Sequence, residues 1–226
     1  MRTNFSASFR LAILSAAVLL SAAEAFANSA LVRSFTGLPK IIANGKTLTL
    51  KKGEAIPDNA IVRTGPVDTL DIYFDEAGRV ISLGPNSQMR IELATRSVVL
   101  DKGQIVGSVR RTQSDLPPIL VKTARGVTSI SRGDIVVNAL EQEISVLSGS
   151  ATYQSAAVNN GVTTQILSGR TLTETSSANT PSVSPTTPET TAQLMRHVDR
   201  VASATESLRP GDIKAAADGG KVPTRK

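Results

Sequence analysis

The chain has 226 residues, 40% of them hydrophobic but only 3% aromatic, with no cysteine and a single histidine. That composition excludes disulfides, thiolate metal sites, a cysteine nucleophile and a lipid anchor on an N-terminal cysteine. It also gives few stacking faces for single-stranded nucleic acid, so no nucleic-acid partner is expected. The formal charge of +6 is spread over single basic residues and pairs such as Lys51-Lys52 and Arg110-Arg111. Such scattering reads as a solvated surface, with an anionic cell-wall glycan as the alternative partner it would suit.

Residues 1–27 read as a secretory signal peptide. Arg2 and Arg10 supply the positive start, Leu11 to Leu20 the apolar run, and Ala25-Phe26-Ala27 the small-residue cleavage site, with cutting between Ala27 and Asn28. The apolar run is shorter than the roughly 20 residues a spanning helix needs. Removal of this segment lowers the formal charge from +6 to +5, because Arg2, Arg10 and Glu24 leave with it. The mature chain is expected to have no membrane span and to be periplasmic or secreted.

Residues 28–174 show short apolar stretches cut by turn residues, the signature of an all-β domain. Strands are read at 47–50 and 70–74, where apolar and polar residues alternate, and at 80–83, 89–93 and 97–100. Others follow at 104–109, 119–122, 127–131, 134–138, 143–147, 151–153, 163–167 and 170–173. Low aromatic content leaves the core to Val, Ile and Leu, whose branching suits strands. Asp71 is expected to point away from the apolar face of its strand. Asp75 to Gly78 reads as a hairpin loop, and Pro117-Pro118 as an edge or connection. Glycines at 53, 65, 78, 84, 103, 133, 149, 161 and 169 fall between the apolar runs and read as turns. No helical pattern interrupts the series, so βαβ units are not expected.

The composition then turns to Ser, Thr, Pro and Asn, and residues 175–187 read as a flexible linker. Residues 188–209 read as a short helix. Thr187 caps it, Pro188 and Glu189 suit its first turn, and Leu194, Val198, Val201 and Leu208 form a stripe. Pro210-Gly211 stops it, and residues 210–226 read as a disordered tail.

The order of turns resembles the FecR domain. The resemblance is carried by Gly53, Thr64-Gly65, Gly78, Leu83-Gly84-Pro85-Asn86-Ser87 and Val99-Leu100-Asp101-Lys102-Gly103. It continues through Val121-Lys122-Thr123, Arg132-Gly133 and the later glycines Gly149 and Gly169. Asp134 stands where the family usually has Thr, and Ile135 where it usually has an aromatic. The resemblance implies a solenoid-like or rolled antiparallel sheet of many short strands. In its transmembrane members this domain lies in the periplasm and relays the state of an outer-membrane receptor to a sigma factor. Those members carry an anti-sigma segment and a membrane helix ahead of the domain. A signal peptide stands there instead, so direct sigma-factor control is not expected.

Catalytic machinery is not expected either. His197 is alone and cannot complete a multi-histidine metal site. No G-x-S-x-G elbow, phosphate-binding glycine loop or EF-hand pattern occurs. Asp71, Asp75 and Glu76 read as solvated carboxylates at a hairpin. No cofactor is expected. The leading expectation is a non-enzymatic module that binds an envelope protein through a strand edge or a sheet face. The alternative is a structural protein associated with cell wall or polysaccharide.

Overall fold

The computed structural model describes residues 29–74, 79–110, 117–157, 163–174, 181–188, 191–192 and 195. The expected signal peptide with Ala27 and Asn28, the 75–78 loop with Gly78, His197 and the expected tail lie outside them. The regular secondary structure of the described residues is almost entirely strand. In chain order these are β1 (Ala30–Thr36), β2 (Lys40–Ala43), β3 (Lys46–Leu48), β4 (Ile61–Arg63), β5 (Thr69–Phe74), β6 (Arg79–Leu83), β7 (Gln88–Glu92) and β8 (Ser97–Lys102). There follow β9 (Gln104–Val109), β10 (Ile119–Lys122), β11 (Gly126–Asn138), β12 (Glu143–Ser155), β13 (Thr163–Leu167), β14 (Arg170–Thr173) and β15 (Ser182–Pro185).

All belong to one sheet, with main path β1-β5-β6-β9-β11-β10-β8-β7-β4-β2-β3 and a branch in which β12 carries β13 and β14, and β14 carries β15. The sheet rolls on itself. β11 is the seam: its first half pairs with β10 and its second half with β9. Aliphatic side chains from both halves meet inside the roll, among them Ile72, Ile81, Ile105 and Ile135 from one side and Met89, Ile91, Val98 and Val121 from the other. The roll nearly closes. The segment after β3, at the far end of the path, returns to the outer edge of β1. There Gly53 N–H donates to the Val32 carbonyl (2.7 Å), Val32 N–H to that of Glu54 (2.9 Å), and Ile56 N–H to that of Ala30 (2.8 Å). This covers an edge that would otherwise invite another strand.

The all-β rolled sheet agrees with the sequence reading, and several details correct it. Strands 127–131 and 134–138 are one strand, as are 143–147 and 151–153. The glycines between them, Gly133 and Gly149, are not turns but face each other inside the ladder. One pair, β8 with β10, is parallel, because the chain changes halves of the roll between them. β1, β2 and β4 were not anticipated, since β2 and β4 are short and β1 follows the apparent signal. Ser182–Pro185, inside the stretch expected to be linker, pairs with β14. Its four side chains are exposed, so backbone hydrogen bonding recruits it, with one added bond from the Ser182 hydroxyl to the Thr173 carbonyl (3.3 Å). At the expected helix, Pro188, Thr191, Ala192 and Met195 are helical, and Thr191 N–H donates to the Thr187 carbonyl at 2.9 Å. The remaining residues of that stretch that carry its apolar stripe lie outside the described set.

Candidate protein interface at one end of the sheet

Sheet register brings distant sequence to one end of the roll. Thr36 pairs with Thr69, Leu70 with Leu83, Leu83 with Ile105, and Gln104 with Asn138. The connections that follow or precede these residues therefore lie side by side.

At this end Thr64 and Ser87 lock two turns together. Thr64 N–H donates to the Ser87 carbonyl (3.0 Å). The Thr64 hydroxyl donates to the Gly84 carbonyl (2.6 Å) and accepts from Ser87 N–H (2.9 Å). Asn86, at a left-handed φ of +51°, donates its N–H to the Gly65 carbonyl at 2.9 Å. The Ser87 hydroxyl donates to the Pro85 carbonyl (2.9 Å) and accepts from Gln104 N–H (3.0 Å). Gly103 passes so close that a Cβ there would sit 2.1 Å from Ser87 Oγ. Thr64, Gly65, Pro85, Asn86, Ser87 and Gly103, separated by up to 39 positions in the sequence, thus form one hydrogen-bonded knot.

Two loops are pinned to that knot. Asp68 takes Gly65 N–H on Oδ2 (2.8 Å) and Leu38 N–H on Oδ1 (3.0 Å), tying the β4–β5 loop to the β1–β2 turn. On the other side Ala139 N–H donates to the Gly103 carbonyl (2.9 Å). Asn138 Oδ1 then accepts from Leu140 N–H (3.0 Å) and Glu141 N–H (3.2 Å), which fixes the β11–β12 loop. The result is a continuous hydrogen-bonded rim. It holds three large aliphatic side chains in solvent: Leu38 at 83% exposure, Val67 at 76% and Leu140 at 71%. β5 and β11 are three ladder steps apart, so these side chains are spread over about 14 Å at the usual strand spacing.

Buried carboxylates stiffen the sheet behind the rim. Asp71 on β5 accepts from Ser34 on β1 (2.7 Å) and Ser82 on β6 (2.6 Å). Asp134 on β11 accepts from Ser108 on β9 (2.7 Å) and Ser148 on β12 (2.9 Å), and lies 3.3 Å from Arg110. In both cases a central Asp is clamped by serines from the strands on either side. The expectation of a solvated Asp71 is corrected: it faces away from the core as read, but it is buried. Its two serine partners come from strands 37 and 11 residues away, which a local charge pattern does not reveal. Glu174 accepts from the Tyr153 hydroxyl and from Ser155 (2.5 Å). Burial, and then the Glu174 carboxylate, raise the Tyr153 phenol well above its ordinary value. On the outer surface, Glu92 accepts from Lys122 (2.7 Å) and Ser97 (2.8 Å), which hold its carboxyl down at about 2.

The other sequence-derived positions lie elsewhere. Gly53 sits at the covered edge of β1, Arg132, Gly133 and Gly149 at the bend of the long hairpin, and Gly169 in the β13–β14 turn. Sequence reasoning missed Asp68, Leu38, Val67 and Leu140. The Gly65-to-Asp68 spacing is a local turn signal; the bond to Leu38 spans 30 residues and has none. Among the described residues no group of three His, Cys, Asp or Glu is placed to hold a metal. β13 and β15 each pair on one side only.

No family model matches the chain, and no curated protein is similar to it. Two crystal structures of a candidate anti-sigma factor from Parabacteroides distasonis ATCC 8503 are similar in shape. One matches with a TM-score of 0.48 at 13% identity, over 60% of this chain and 64% of the other. The second matches with 0.47 at 13%, over 60% and 63%. This chain therefore spans less than two thirds of those structures.

Proposed function

We propose that this chain is an exported, non-enzymatic module of the FecR type that binds a protein partner in the bacterial envelope through the rim. The observation that carries this reading is the presentation of Leu38, Val67 and Leu140 in solvent on loops that are hydrogen-bonded to one rigid knot. Exposed aliphatics on a mobile loop lose much of their binding energy to ordering; here the backbone is already fixed. The FecR reading is supported by the place of its motif residues. Of the residues that carry the resemblance, Thr64, Gly65, Gly84, Pro85, Asn86, Ser87 and Gly103 lie in the knot on which the rim is built. Scattered basic residues provide a weaker site for a glycan, since few aromatic faces accompany them.

The test compares capture of envelope proteins by the mature chain and by a Leu38→Ser, Val67→Ser, Leu140→Ser chain. Selective loss of one captured protein, with unchanged thermal unfolding, is the expected result. Equal capture by both chains, or only a salt-sensitive association with purified cell walls, contradicts it.

A further inference from the structure

The long ribbon of β11, β12 and β14 folds back on itself. On β12, Glu143 pairs with Thr173 and Tyr153 with Thr164. In a straight strand Glu143 and Tyr153 would lie about 33 Å apart. Glu174, the residue after Thr173, nevertheless meets Tyr153. The bend that allows this is a line of glycines. Gly133 faces Gly149, Gly169 stands between β13 and β14 on the next strand out, and all three have positive φ (107°, 77° and 73°). Two tips therefore come together at the rim. One is built from the turn before β11 and the end of β12. The other is built from the β11–β12 loop, which carries Leu140, and the end of β14. Thr123, Arg125 and Tyr153 of the first tip face Asn138, Gln142 and Ile144 of the second across a narrow cleft.

Glu174 joins the two tips. On its own tip its N–H donates to the Gln142 carbonyl (3.2 Å). Its carboxylate reaches across to the other tip and accepts from the Tyr153 and Ser155 hydroxyls. All three side chains are buried. Gly126 makes the seat for Tyr153: a Cβ there would lie 2.7 Å from the phenol oxygen. The Leu140 loop is thus held from two sides, by Ala139 N–H on the Gly103 carbonyl and by Gln142 through Glu174. We infer that Glu174 is a latch for the rim. While its carboxylate holds Tyr153 and Ser155, the tips are shut and the Leu140 loop keeps its place. When it releases them, the tips part about the glycine line and the rest of the sheet stays folded. The balance of contacts selects this point of release. Each tip is internally a β-ladder, whereas the polar link across the cleft is a pair of side-chain hydrogen bonds, whose net worth is small beside a ladder. Opening there precedes global unfolding, and glycine can absorb the change in backbone angle. The bearing of the latch on partner binding rests on the proposed function; the latch itself does not.

Amide hydrogen exchange of the free chain reads the latch with no partner present, so its failure is distinct from a failure of the rim to bind. The amides to follow are those of Ala139, bonded to Gly103, and Ala156, bonded to the Arg125 carbonyl (2.6 Å), one on each tip. Glu174→Ala leaves both hydroxyls without their carboxylate. The expected result is exchange at least ten-fold faster at Ala139 and Ala156, insensitive to low urea as a local opening is, with Ile72 and Ile81 on β5 and β6 unchanged. Glu174→Gln, which keeps an acceptor oxygen, is expected to fall between the parent and Glu174→Ala. Acceleration that is uniform over the sheet makes Glu174 a contributor to global stability, and unchanged exchange at the tips leaves it nothing to hold; either result overturns the inference. Should Glu174→Ala fail to fold, Tyr153→Phe decides, since it removes one hydroxyl and keeps the ring. It is expected to give the same local pattern, at least three-fold, and the absence of that pattern overturns the inference.

Discussion

Gly133 stands directly opposite Gly149 in the β11–β12 ladder, each with positive φ, at the bend where the long hairpin passes from one half of the roll to the other. A Cβ on Gly133 would lie 1.9 Å from the Ser148 carbonyl oxygen, and one on Gly149 2.2 Å from that of Arg132. Both contacts are to backbone, which cannot swing aside. Gly133→Ala and Gly149→Ala are each expected to destabilise the fold by about 3 kcal/mol, from left-handed strain and overpacking together. Because the two share one contact, the double variant should lose less than the sum. Denaturant unfolding of the three variants checks this.

The two serine-clamped carboxylates give a second expectation. Asp71→Ala leaves the Ser34 and Ser82 hydroxyls without the acceptor they now share. A buried hydroxyl without a partner costs about 1–3 kcal/mol, so a loss of about 2–4 kcal/mol is expected from the pair. Asp71→Asn, which keeps an acceptor oxygen, should lose less. The same ordering should hold at Asp134. Equal stability of the Ala and Asn variants in chemical unfolding would count against the clamp.

Acid stability should show Glu92. Its carboxyl is held at about 2, first by the Lys122 hydrogen bond and then by Ser97. A depressed carboxyl stabilises the folded state fully above its ordinary value near 4.5, and that contribution disappears as pH falls toward 2. The pair is partly exposed, so its worth is about 1 kcal/mol. Glu92→Gln should therefore be less stable than the parent by that amount at neutral pH and equal to it near pH 2. Lys122→Met should move the Glu92 titration, followed by NMR, up toward the ordinary range.

Alkaline titration should show the tyrosines. The chain has two. Burial is the largest cause raising both Tyr73 and Tyr153, with Glu174 adding to the effect at Tyr153. A raised phenol stabilises the fold below pH 10 and loses that contribution as pH climbs above it. Phenolate absorbance should therefore stay low in the native chain at pH 10 and rise together with unfolding at higher pH. Ordinary titration of either residue at pH 10 would contradict its burial.

Much of the sheet was legible because its strands obey local rules. Leu70 to Phe74 alternates, and turn residues bracket it. What was illegible was non-local. Gly133 and Gly149 look like turn glycines, and only their mutual pairing shows that they let a single long hairpin bend. Asp71 looked solvated because its serines lie on neighbouring strands. Ser182–Pro185 has no apolar signal, yet its backbone completes a ladder. At the rim, the glycines, Thr64 and Ser87 were visible as punctuation, but their convergence depends on register. Leu38, Val67 and Leu140 are single apolar residues in polar loops, with nothing in the local pattern to join them.

The most direct measurement of the central claim is hydrogen exchange on the complex with the captured envelope protein. Protection should appear in the rim loops around residues 36–39, 64–68 and 139–142. Protection confined to the free edges at Thr163–Leu167 and Ser182–Pro185, with the rim loops exchanging as in the free chain, would contradict it.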